Sequence, residues 1–332
     1  MKIKPNLLLL VIASACLSGT QAVIAQAESS TDDIINVNRH PVHLDPELDV
    51  ATARLGEGRL HQVDATLVEI PPGGKLPPHR HLAEEIMYIV AGEGHTDMWI
   101  GDGAGRQRYD WDAGDLLSPS LNTWHQHFNA SAENTARYIS ITTAPITHNI
   151  FPDQAFLTSS DFVFEDRWQQ GISQQPEYTP EGGFESSEVV RMRVGHQLPD
   201  LPDRKLRQRR QGAWGITILP EGDLAGNHVL EMEVREKDGE EFTDEQAHLH
   251  HHPWEVIYIV LDGQGYSDMR REGEPMRRVN WQEGDLFIVE ANEYHDNRAR
   301  PQTRTRYLQV KAAGYFRGVG NVGGIVVEGE SD

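Results

Sequence analysis

His79 and His81 stand one residue apart in PPHRHLAEEIMYIV (77–90), with Glu85 close behind and His125 further along the chain. Imidazole and carboxylate are the side chains that hold first-row divalent metals. In an extended segment alternate residues leave the same face, so His79 and His81 project together and Arg80 points away. Three imidazoles and one carboxylate suit an octahedral Fe(2+) or Mn(2+) ion with two adjacent positions left for substrate or oxygen. A thiolate zinc site is excluded, because Cys16 is the only cysteine. Met87 and Ile89 share the face of Glu85 and would line an apolar cavity. His127 and Asn129 share the face of His125. His127 is therefore a candidate acid–base residue, with a purely structural histidine as the alternative.

The pattern is written twice. Placing Glu85 over Glu255 lays EIMYIV (85–90) on EVIYIV (255–260), Trp111 on Trp281, Asp115 on Asp285, Asn122 on Asn292 and His125 on His295. In that register GEGHTDM (92–98) meets GQGYSDM (263–269) only after a slip of one residue, as one indel in a turn would produce. The chain thus reads as a duplicated domain. The second set of candidate metal ligands is His248, His250, Glu255 and His295. The run HLHHHP (248–253) leaves the pair ambiguous, and His250 with His252 is the other choice.

The elements that must position these residues are short strands. TLVEI, EEIMYIV, HTDMWI and WHQHF in the first copy, and HVLEMEV, EVIYIVL and DLFIVE in the second, are apolar or alternating runs between turns. With 30 glycines and 18 prolines for turns, an all-β sandwich or barrel is expected in each copy. The expected divisions are a leader at 1–27, a first domain at 28–146, an irregular connection at 147–210, a second domain at 211–316 and a tail at 317–332. One helix is expected near DQAFLTSSDFVFEDRWQQ (153–170).

Hydrophobic residues make up 38% and charged residues 24%, a globular composition. A net charge of −21 disfavours nucleic acid and anionic membranes as partners, and the basic run RKLRQRR (204–210) reads as a solvated linker. The N-terminus combines Lys2 and Lys4, the apolar core LLLLVIASACL and the small-residue site AQA (25–27), the pattern of a secretory signal peptide. A periplasmic or secreted location is expected, with no membrane span. Lipid attachment at Cys16 is the second reading of the leader.

In the first copy Gly74, His79, His81, Glu85 and Gly92, followed by Gly114, Asp115, Pro119, His125 and Asn129, resemble the two cupin motifs. The opening spacer differs by one residue, and Asn122 stands where cupins often have glycine. The second copy matches through His248, His250, Glu255, Gly284, Asp285 and His295, with Val289 replacing the motif proline. The resemblance implies a bicupin: two cupin barrels in tandem, each a double-stranded β-helix or jelly roll with a metal position in its mouth. Within that family the first copy resembles gentisate-type ring-cleaving dioxygenases, which implies an Fe(II) enzyme acting on a small aromatic acid. Retained glutamate and an export signal depart from that group and suit an Mn(II) oxalate-decarboxylase or germin-like enzyme instead. A non-enzymatic metal- or ligand-binding module is the third reading. Bicupins often assemble through barrel edges, so a homo-oligomer is a further expectation.

Overall fold

The computed structural model describes residues 33–103, 105–179, 190–239, 249–321 and 326–327, so the leader and His248 lie outside the described residues. Each half of the chain is a large antiparallel sheet facing a small one. In the N-terminal half the large sheet runs His43–Asp45, Val50–Leu55, Asp64–Ile70, Ala136–Thr142, Glu85–Ala91 and Leu116–Leu117. The small sheet runs Gln107–Asp112, Glu93–Trp99 and Trp124–Asn129. The C-terminal half repeats this with Glu231–Asp238, Arg304–Lys311, Val256–Asp262 and Asp285–Val289 at the centre of its large sheet. Its small sheet holds Arg277–Gln282, Gln264–Arg270, Tyr294–Ala299 and His250–His251, edged by Val326–Val327.

The apolar runs do not alternate because both faces of their strands are buried. Ile86, Ile139 and Ile141 pack in one cluster with Ile257, Ile259, Leu308 and Val310 of the other half. The large sheets therefore lie back to back over a shared core. Met87, Ile89, Met98 and Trp111 fill the first barrel, and Tyr258, Met269, Trp281 and Phe287 the second.

Each half also lends the other a strand. Ile34–Asn36 pairs with Asp285–Val289 of the C-terminal sheet, and Gln197–Leu198 pairs with Leu116–Leu117 of the N-terminal sheet. Where the sequence suggests one helix, at 153–170, the connection holds two, Gln154–Thr158 and Glu165–Ser173, after a short one, Ala144–Ile150, at its start. RKLRQRR is not a solvated linker throughout: Arg207–Arg210 is a strand, and buried Arg209 meets Glu233 at 3.2 Å. No helix among the described residues is long and apolar enough to cross a membrane.

Strand pairing corrects the register of the repeat. Glu85 lies opposite Thr142 and Ile89 opposite Tyr138, whereas Val256 lies opposite Lys311 and Val260 opposite Tyr307. Val256, not Glu255, is the counterpart of Glu85. Gly92 and Gly263 make the same turn at φ +89° and +80°, and a Cβ on either would strike the neighbouring strand. The one-residue difference lies in the following hairpins, which join Met98 to Gln107 and Met269 to Arg277.

Glu255 is equivalent to Glu84, and both bind the two halves together. Glu84 accepts the backbone N–H groups of His228, Val229 and Leu230 at 2.7, 2.8 and 2.9 Å. Glu255 accepts those of His61 and Gln62 at 2.8 and 2.9 Å. Each carboxylate thus ties down the approach to a central strand of the opposite barrel.

His196 anchors the connection. Its Nδ1 donates to the Ser118 carbonyl at 2.8 Å, and the ring packs between Trp168 and Tyr109. Burial pushes its pKa down to about 4. The folded value lies below the unfolded one, so this stability is complete above about pH 6.5 and is lost as pH falls towards 4. The loss amounts to about 3 kcal/mol at the acid end. Thermal unfolding at pH 7 and pH 4.5 should show a smaller acid-induced drop in His196→Asn than in wild type. An identical drop in both would disprove the assignment.

Candidate metal centre

His79 enters the site because its backbone bridges to His125 on the facing strand, and His81 follows on the same side. Each of the three rings is locked by its rear nitrogen. The Nδ1 atoms of His79, His81 and His125 lie 2.9, 2.9 and 2.8 Å from the carbonyls of Pro77, Ala83 and Thr123. A carbonyl can only accept, so each Nδ1 carries the proton and each Nε2 offers a lone pair to the lumen. The ligand atoms lie within 4.8 Å of one another.

Glu85 completes the group from the large sheet. Its Oε2 lies 3.3 Å from His81 Nε2 and 3.4 Å from His125 Nε2, while Oε1 accepts the Ser140 hydroxyl at 2.5 Å. Burial would raise the Glu85 carboxyl, but the imidazoles of His125 and His81 facing it hold it well below the usual range. Burial and the neighbouring imidazoles push His79 well below the usual imidazole range. Glu85 Oε2 and His125 Nε2 are buried with no hydrogen-bond partner. Native proteins rarely leave such atoms unsatisfied. The donor set therefore fits a divalent first-row cation. Glu84, next in sequence, faces the other way. So does Arg80, which pairs with Asp161 at 2.5 Å over the Trp124 ring.

The second barrel brings together His250, His252 and His295. His250 faces His295 across the strand pair as His79 faces His125. Among the described residues the pair is thus His250 with His252. Glu255 is not beside them, since its carboxylate caps the backbone of the first half. Lys311 stands where the first barrel has Thr142, and Val256 where it has Glu85. The Lys311 ammonium is held by Glu231 at 2.9 Å and Glu233 at 2.6 Å. Burial and the Lys311 charge push His252 down to about 3. Three imidazoles beside an ammonium fit a dication less well than three beside a carboxylate.

His127 lies deeper in the first barrel, its ring 5.4 Å from His125, 5.7 Å from His79 and 5.5 Å from Tyr138. Its setting was not visible in the sequence. Trp111 Nε1 donates to Thr96 Oγ1 at 3.1 Å, and Thr96 Oγ1 lies 2.9 Å from His127 Nδ1. With Trp111 as its donor, Thr96 is free to give its own proton to Nδ1, and in that arrangement the neutral ring's proton stands on Nε2. That Nε2 is buried without a partner, and burial pushes the ring's pKa down to about 3. The second barrel repeats the relay as Trp281 to Ser267 at 2.9 Å and Ser267 to Asn297 at 2.6 Å.

A small cavity, about 20 Å³, lies above His79, His81 and Glu85. Its further walls are Asp64, Thr66, Tyr138, Ser140 and Thr142. The apolar lining expected of Met87 and Ile89 is not there, because both are fully buried in the packed floor. Asp64, Thr66 and Ser140 come from strands far apart in sequence, so only the pairing register could reveal them.

A model of the cupin domain matches residues 66–142, and a model of the AraC-like ligand binding domain matches residues 240–317. Acireductone dioxygenase of Phaeosphaeria nodorum is 36% identical over 63 residues, which is 19% of this chain and 36% of that protein. The chain's match therefore spans about a third of that relative. Among solved structures, salicylate 1,2-dioxygenase of Pseudaminobacter salicylatoxidans superposes with a TM-score of 0.60 at 16% identity, covering 84% of this chain and 80% of that one. A mutant oxalate decarboxylase of Bacillus subtilis gives 0.53 at 11% identity, covering 84% and 76%. The chain is a bicupin, and its fold resembles that of the ring-cleaving dioxygenases.

Proposed function

We propose that this bicupin is an exported metal-dependent oxidoreductase, a dioxygenase with Fe(II) held by His79, His81, Glu85 and His125 in its N-terminal barrel. The observation that carries this reading is the convergence of three tautomer-locked imidazoles and an unsatisfied buried carboxylate oxygen. A bound Fe(II) would supply the capacity to bring a chelating substrate and dioxygen together. The chain's own residues do the rest. Met87, Ile89, Met98 and Trp111 make a dry floor, and Ser140 orients Glu85. His127 offers an N–H donor beneath the ligands, where a developing oxygen anion would accept it. The signal-peptide pattern expected at residues 1–27 supports action outside the cytoplasm.

The second reading is an Mn(II) decarboxylase. It is supported by the second carboxylate, Asp64, in the wall of the same cavity. Metal analysis of protein purified without chelator, followed by oxygen uptake with small phenols and carbon dioxide release from oxalate, separates the two. A chain with neither iron nor manganese would overturn both in favour of a ligand-binding module.

Thr96 is a positioning residue in this reading. Thr96→Val should lower kcat for oxygen uptake about tenfold or more, with KM and metal content unchanged, and Thr96→Ser should restore it. Equal loss in both variants would mean that Thr96 only packs.

A further inference from the structure

We infer that the N-terminal site takes an uncharged molecule with neighbouring hydroxyl groups, a catechol or similar diol, and not a carboxylic acid. This rests on the metal-centre reading of His79, His81, Glu85 and His125. The small acid implied by family resemblance needs a cation to receive its carboxylate. None of the residues lining the cavity is lysine or arginine, and two, Asp64 and Glu85, are carboxylates. These two balance the charge of one divalent ion, so an uncharged ligand enters a neutral site and an anion enters without a counter-charge.

The hydrogen-bonding capacity points the same way. Asp64 Oδ1 accepts the Thr142 hydroxyl at 2.6 Å, and Glu85 Oε1 accepts that of Ser140. The wall hydroxyls of Thr142 and Ser140 thus spend their protons on carboxylates, so these two carboxylates and two hydroxyl oxygens face a ligand as acceptors, beside the hydroxyls of Thr66 and Tyr138. The second barrel shows that this is not a constraint of the fold. At lumen-facing positions of its strands stand Lys311, opposite Val256, and Arg235, which pairs with Glu233. Outside the lining, Arg54 lies opposite Thr66 on the neighbouring strand Val50–Leu55 and is exposed. Its charge acts on Asp64 from outside the cavity wall.

Calorimetric titration of the metal-loaded full chain under nitrogen, with catechol, salicylate and oxalate as probes, tests the inference. Catechol is expected to bind at least about tenfold more tightly than either anion. Asp64→Asn should narrow that gap by improving the anions while metal content stays constant. Salicylate or oxalate binding as tightly as catechol in the wild type would overturn the inference. Loss of that anion binding in Arg54→Ala would identify the cation overlooked. Absence of catechol binding to metal-loaded protein also overturns it. A chain that takes up no metal fails at the earlier step, the metal-centre reading, which distinguishes the two failures.

Discussion

Replacing His125 with alanine should abolish tight metal binding, whereas replacing His295 should leave it intact. Both histidines occupy the same place in their barrels, each facing the first histidine of its pair across two strands. They differ in what stands opposite. In the first barrel Glu85 places a carboxylate oxygen 3.3 and 3.4 Å from two imidazole nitrogens. In the second that position is Val256, and Lys311 brings a positive charge close enough to depress His252. A dication entering the second triad meets the Lys311 charge, while Glu231 and Glu233 are already engaged by Lys311, Arg317, Arg209 and Arg235. Loss of His125 removes a ligand outright and should weaken binding beyond the 10–100-fold typical of outer partners. Metal content after dialysis should be near one equivalent per chain in wild type and His295→Ala, and near zero in His125→Ala. Oxygen uptake should follow metal content. Two tight equivalents in wild type would refute the asymmetry. The double change Val256→Glu with Lys311→Thr should create a second site.

Glu84→Ala should cost the largest share of stability of any single change outside the core, about 3–5 kcal/mol. The buried carboxylate receives three backbone N–H groups and pairs with Arg167 at 2.8 Å. Removing it strands all three donors and a guanidinium at the joint between barrels. Glu84→Gln keeps one acceptor oxygen and should cost about half as much. Calorimetry should place the Glu84→Ala melting point roughly 5–10 °C below wild type. Metal content should not change, because Glu84 and Glu85 leave opposite faces of the strand. The converse holds for Glu85→Ala, which should lose metal before stability. If Glu84→Ala instead lost metal at an unchanged melting point, the assignment of the two glutamates would be reversed.

Much of this was legible in the sequence. The HxH spacing already implied a shared face for His79 and His81, because strand side chains alternate with a period of two. The duplication, the all-β class and the pairing of those histidines with Glu85 and His125 needed no coordinates. The equivalence of Glu85 with Glu255 did not survive. EIMYIV and EVIYIV are apolar on both faces, so sliding one along the other by a residue keeps nearly every hydrophobic match. A strand with one wet face would have penalised that slip. Carrying the register of GEGHTDM and GQGYSDM back without a break would have placed His79 and His81 on His250 and His252.

What remained belongs to tertiary structure alone. The polar wall of the cavity is drawn from Asp64, Thr66, Ser140 and Thr142, which meet only through cross-strand pairing. The exchange of edge strands and the reciprocal carboxylate clamps arise where two barrels share one core, a contact between segments far apart in the chain. The sequence by itself determined which residues could hold a metal. Only the tertiary structure decided that Glu255 does not join them as Glu85 does but ties the barrels together like Glu84, because adjacent residues on a strand face opposite ways and only packing says which way is in.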